Sequence, residues 1–518
     1  MSTPDEPDTP GGRDRQDDED RLSEHRGDLT VADVEVDGRP GCTVHIERGR
    51  ITAVETERFR STRRGTDVLD GGGGALLPGL HDHHIHLFSL AARERSVRCG
   101  PPSVVDRSSL ADALAQAMGE LARGPSSQWL RGYGYDESVA GPLTADGLDD
   151  VLGTHRRRPV RIQHRSGHQW VVNRSGLEVL GLAGPTPGTA RATPRKAAAT
   201  PQEEGLEGVE IGIDGRPTGV LYGADDLIRR RLPGELPSLA TISDRLSRCG
   251  VTGVTDATAS NGPEELTAME AATRRGELHQ SVLMLGGELP ARDRGPVVTG
   301  ALKLVLEDRQ LPGLDELVDS IRSAGRRGVA FHAVTRESLV LAATALAVGG
   351  GGPHRIEHAS VAPPEVVDLL RPLDVTVVTQ PGFIAEHGDR YRRDVDPADQ
   401  EWLYRLRAWD RASIRLAGST DAPFGDLDPW AAVAAAVSRR TTLGHSIGSN
   451  ERLTPERALG LFLGHPTDPG GLVRTVSPGA PADLCLLAAP WATARVELSS
   501  QLVRATIRAG RVVHQARP

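Results

Sequence analysis

Aromatic residues are scarce, with 6 Phe, 6 Trp and 5 Tyr in 518 residues. A core must therefore be built from Ala, Val, Leu and Ile. The chain also lacks a basic stripe: 70 Asp and Glu against 61 Lys and Arg give a formal net charge of −9. Together these absences speak against a nucleic-acid surface, which needs clustered cations interleaved with stacking rings. Cysteine is limited to Cys42, Cys99, Cys249 and Cys485, with no CxxC spacing. Reduced thiols in a cytoplasmic protein are the simple reading. No apolar run approaches the ~20 residues that cross a bilayer. The longest candidates, such as residues 339–348, read as buried helices. Residues 1–27 are charged and rich in Pro and Gly, lack the apolar core of a secretory signal, and read as a disordered tail.

Short strand patterns cover residues 29–35, 42–47 and 50–54, with turns at Asp37-Gly38 and Arg48-Gly49. The far end has the same character at 481–487, 502–507 and 512–514. Two β-rich ends predict one small β-sandwich assembled from residues 28–77 and 472–518. The middle alternates apolar strands (251–255, 302–306, 329–331, 354–357, 375–379, 414–416) with helical stretches (314–324, 337–347, 364–370). Alternation of this length predicts a parallel sheet with helical crossovers, and six or more units favour an α/β fold of the (β/α)8 TIM-like barrel type over residues 78–471. An insertion at about 103–245 interrupts it. Within that insertion, residues 184–205 are rich in Pro, Thr, Ala and Gly and read as a surface loop.

The chemistry concentrates at Asp82-His83-His84-Ile85-His86. Alternate side chains of a strand share a face. Asp82, His84 and His86 therefore point one way, and His81, His83 and Ile85 the other. Two neutral imidazoles at i and i+2 can bind one metal ion together. Later apolar runs end in His332, His358 and Asp421, and Lys303 lies inside an otherwise apolar strand. Functional groups at the C-terminal ends of parallel strands are where a barrel keeps its active site. A buried lysine is costly as a cation; it is either ion-paired or neutral, and a neutral amine can take up carbon dioxide as a carbamate. Glu357, adjacent to His358, is expected on the opposite face as a helix–strand contact rather than a ligand.

These residues resemble the amidohydrolase superfamily of metal-dependent hydrolases, and within it the YtcJ-like branch, amidohydrolase family 3. The resemblance runs from about Asp28 to the chain end. Pro78-Gly79-Leu80-His81-Asp82-His83-His84-Ile85-His86 is similar to the first-strand motif, Ser166-Gly167-His168 to a motif preceding the barrel, and Arg355-Ile356-Glu357-His358 and Gly418-Ser419-Thr420-Asp421 to later ones. Pro478-Gly479-Ala480-Pro481-Ala482-Asp483-Leu484 is similar to a C-terminal element.

The resemblance implies a divalent metal, Zn2+ first, as one or two ions. His84 and His86 would ligate the more buried ion, Lys303 would bridge as N6-carboxylysine, and His332 and His358 would hold the second. Asp421 would be both ligand and proton shuttle, and His168 a substrate contact. The expected reaction is hydrolysis of a non-peptide C–N bond, an amide first, by a metal-bound hydroxide. A small-molecule substrate is expected, with no nucleic-acid or membrane partner, and a homodimer stays open. Decarboxylation or isomerisation on the same scaffold, or a non-catalytic binding module, are the alternatives. The chain departs from the branch after two of these residues: His332 leads into Ala333-Val334-Thr335-Arg336, and Lys303 leads to Glu307. Both changes bear on the substrate and leave the ligands in place.

Overall fold

The structure is a computed structural model describing residues 28–56, 67–121, 128–182, 208–232, 236–287, 289–307 and 311–517. The expected tail at 1–27 and the expected loop at 184–205 lie outside the described residues. The chain divides into two compact units, Met1–Leu87 with Ser238–Pro518, and Phe88–Pro237.

The first unit contains the barrel. Its eight parallel strands are β1 (Leu80–Ile85), β2 (Val251–Asp256), β3 (Ser281–Gly286), β4 (Val297–Val305), β5 (Val329–Ala333), β6 (His354–His358), β7 (Val375–Thr379) and β8 (Arg415–Gly418), paired in sequence order. β1, β2, β6 and β7 are buried along their whole length, as parallel strands covered on both faces must be. β1 and β8 meet just beyond their ends, where Asp421 N donates to His84 O at 2.9 Å and His86 N to Ala422 O at 2.9 Å. Helices between strands carry their own stop and start signals. Leu314–Ala324 buries Leu317, Val318 and Ile321, has Asp315 and Glu316 in its first turn, and ends at Gly325 with φ +51°. Arg336–Gly349 starts on a Thr335–Ser338 capping box just after β5; such a cap contributes about 1 kcal/mol.

Strand β3 has no counterpart among the expected strands, and β4 begins at Val297 rather than at 302. The core of β3 is Val-Leu-Met-Leu, a short apolar run that periodicity cannot tell from buried helix. The same unit holds two further sheets. One orders Arg50–Glu55, Arg39–Glu47, Leu29–Val36 and Asp67–Asp70; the other orders Arg511–Gln515, Val503–Arg508, Leu484–Leu487 and Leu76–Pro78. Val31, Val44, Ile46 and Ile51 from the first share a core with Leu484, Leu486, Ala505 and Ile507 from the second. Both chain ends thus build one β-sandwich.

The second unit is a six-stranded sheet ordered Val209–Ile211, Pro217–Tyr222, Gln169–Val172, Val160–His164, Leu130–Tyr135, Val97–Arg98. Val160 and Ile162 pack with Leu110, Leu114 and Leu148 of the flanking helices. The unit starts before the expected boundary near 103 because Val97–Arg98 already pairs with Gly132 and Tyr133. Among the described residues, no helix is long and apolar enough to cross a membrane.

Candidate metal centre

The seam between β1 and β8 brings three donors together. His84, His86 and Asp421 each offer a ligand atom, and these atoms lie within 4.8 Å of one another. Asp421 Oδ1 is 3.1 Å from His86 Nε2 and 3.5 Å from His84 Nε2. Asp421 takes φ +57°, a region a non-glycine residue enters only when its surroundings hold it there. Its backbone bond to His84 O supplies that hold.

The other nitrogen of each histidine is engaged. His84 Nδ1 lies 2.5 Å from Glu357 Oε2, and His86 Nδ1 lies 2.8 Å from Thr258 Oγ1. Arg355 in turn donates to both Glu357 oxygens, at 2.8 and 3.2 Å. Burial favours the neutral form of Glu357, but Arg355, Lys303 and His84 outweigh it and hold its pKa well below the usual range. An ionised Glu357 accepts a proton-bearing Nδ1, which leaves the lone pair of His84 on Nε2. Burial, then the Lys303 charge, lowers His84 to about 3, so its ring is neutral. A neutral imidazole with one nitrogen donating and the other free is the ligand form.

Glu357 corrects the expectation from the sequence. Its carboxylate reaches into the barrel to His84 instead of facing a helix. The expected alternation fails because His358 takes φ +74°, which breaks the pleat after Glu357 and leaves both residues on the site side. The missed signal was Arg355 and Glu357 at i and i+2 in a strand buried throughout. Such a pair has no place in an apolar strand–helix layer and must satisfy itself inside the barrel.

The remaining expected residues gather beside the trio. The His358 ring centroid is 5.0 Å from that of His84 and 4.4 Å from that of His332. His358 Nδ1 pairs with Gln380 Oε1 at 2.9 Å, while its Nε2 is buried without a hydrogen bond. Lys303 is buried, and its Nζ has no hydrogen-bond partner. Burial lowers its pKa to about 8 against the opposing pull of Glu357 and Asp421. Asp421 Oδ1 is likewise buried with no bond of ordinary geometry. Burial raises the Asp421 pKa, but His84, His86 and His358 together bring it to about 2. The buried His358 Nε2 and Asp421 Oδ1, neither with a hydrogen bond, next to two oriented imidazoles, fit a divalent cation.

Asp82 shares the phase of His84 but serves the seam, accepting from Thr420 N at 3.0 Å and from the Thr420 hydroxyl. His168 belongs to the Phe88–Pro237 unit. There it is exposed, and its carbonyl accepts from Gly223 N at 2.8 Å. Thr258 and Gln380 carried no signal in the sequence, since lone polar residues after apolar strands are common.

Residues 67–514 match the model of the amidohydrolase family. An N-substituted formamide deformylase of Arthrobacter pascens is 24% identical over 509 residues, spanning 84% of this chain and 88% of the relative. YtcJ of Bacillus subtilis (strain 168), named as a candidate amidohydrolase, is 23% identical over 91% of this chain and 96% of its own. An uncharacterised metal-dependent hydrolase of Pyrococcus horikoshii OT3 shares the fold, with a TM-score of 0.66, 19% identity, and coverage of 94% of this chain and 100% of its own. The barrel, its histidine–aspartate seam and the family match over residues 67–514 agree: the chain belongs to the amidohydrolase family.

Proposed function

We propose that this protein is a metal-dependent hydrolase cleaving a non-peptide C–N bond in a small amide, with N-substituted formamides as the first class to test. The observation that carries this reading is the convergence of His84 Nε2, His86 Nε2 and Asp421 Oδ1, each nitrogen's ring being fixed by a second polar partner. His84, His86 and Asp421 would hold one divalent ion. Zinc suits the imidazole and carboxylate donors. His358, His332 and Lys303 would serve a second. A bound divalent ion lowers the pKa of water toward neutrality and polarises a carbonyl.

The protein's own residues supply the rest. Asp421 is held as a carboxylate, so its oxygens can accept a proton from the attacking water and return it to the leaving nitrogen. Lys303 enters as a buried amine without a partner; reaction with carbon dioxide would release a proton and turn it into an anionic donor. The formamide class comes from the Arthrobacter pascens relative and from no contact in this structure.

Asp421→Asn tests the reading. It should keep the fold and bind metal, while kcat on an N-substituted formamide or other small amide falls by roughly 10²–10⁴-fold. Undiminished turnover would remove Asp421 from proton transfer. Products other than an amine and an acid would replace hydrolysis by another reaction on the same scaffold.

A further inference from the structure

The Phe88–Pro237 unit carries a second cluster that uses none of the histidine-site residues. Its strands Leu130–Tyr135 and Val160–His164 run parallel and set Arg131 directly beside Arg161. Both guanidinium carbons lie 5.3 Å from the centroid of the Trp170 ring. Arg161 also lies 5.8 Å from the Trp129 ring. Like charges set side by side on neighbouring strands repel, and here both are half-buried.

Their compensation is thin. Arg131 reaches only neutral acceptors, Ser96 Oγ and Gln163 Oε1, each at 3.4 Å. Arg161 Nε is buried without a hydrogen-bond partner. Asp225 is the carboxylate whose charge acts on both, and it accepts from Trp170 Nε1 at 3.0 Å. Among the described residues neither arginine forms an ion pair. Burial, and then the Arg161 charge, draws the pKa of Arg131 down to about 10. Two cations against one carboxylate leave a net single positive charge in a partly desolvated place.

We propose that Arg131 and Arg161 form a binding site for the carboxylate group of a small organic acid, with the Trp170 face holding the two guanidiniums side by side. A carboxylate is monovalent, so it closes the charge balance that a divalent phosphate would overshoot. It also matches the planar donor fork of arginine. Contact with the ring restricts both guanidiniums in advance, so little side-chain freedom is lost on binding.

Calorimetric titration of the full-length, metal-loaded protein with propionate tests this, followed in parallel by tryptophan fluorescence, to which Trp129 and Trp170 report. The expected result is saturable binding at one site per chain, absent with chloride at the same ionic strength. Arg131→Gln and Arg161→Gln should each weaken it by about tenfold or more, with melting temperature and metal content unchanged. Arg161→Lys keeps the charge, loses the fork, and should fall between. No saturable propionate binding by the folded protein, an equal response to chloride, or unchanged affinity in Arg161→Gln and Arg161→Lys would overturn the site.

Discussion

β1 and the residue after it carry two histidine pairs in different surroundings. His81 and His83 lie with ring centroids 4.6 Å apart and planes tilted by 45°. His81 bonds Thr255 Oγ1 at 2.9 Å, and neither nitrogen of His83 has a hydrogen bond. Burial, then nearby charge including Arg474, holds both pKa values well below the usual histidine range. Three residues on, the ring centroids of His84 and His86 are 5.2 Å apart, each ring with one nitrogen anchored and the other aimed at Asp421. Composition and spacing are alike in the two pairs. What separates them is a fixed tautomer and a converging carboxylate, both supplied by distant strands. Histidine density by itself therefore does not bring ligand atoms together.

That contrast can be broken by substitution. The largest effect is expected from His84→Ala, which should abolish stoichiometric metal binding in a folded protein, as read by elemental analysis alongside circular dichroism. Glu357→Gln removes the charge that fixes the His84 tautomer. It should weaken metal affinity by about 100-fold in chelator competition, the upper end for partners of ligating histidines. Full affinity in this variant would show that Glu357 only fills space. Thr258→Val deletes the hydroxyl partner of His86 at nearly constant volume and should cost about tenfold in the same assay. The smallest effect belongs to the other face. His83→Leu should leave metal content unchanged and hold or raise the melting temperature, because burying an unbonded polar atom costs about 1–3 kcal/mol. A marked fall in melting temperature would assign His83 a bonding role that the hydrogen-bond pattern does not contain.

The strand–helix alternation and the β-rich ends were legible because burial on two faces enforces continuous apolar runs, and because caps and glycines punctuate them. β3 was not legible, since Val-Leu-Met-Leu is as compatible with helix as with strand. In the site, strand phase was enough to separate His84 and His86 from His81 and His83. Phase failed at Glu357, where the positive φ of His358 resets the alternation, and a local backbone conformation of that kind leaves no trace in a hydrophobic pattern. Asp421 was visible as a strand-end carboxylate, but its meeting with His84 depends on the closing of β1 against β8, a contact spanning most of the chain.

The most direct measurement is the metal content of protein purified without chelators, compared between the unaltered chain, His84→Ala and His83→Leu. Roughly one to two divalent ions per chain should be found in the unaltered protein and in His83→Leu, and none in His84→Ala. A folded, unaltered protein that stays metal-free after equilibration with zinc, or a His84→Ala variant that keeps its metal, would contradict the assignment of His84, His86 and Asp421 as the centre.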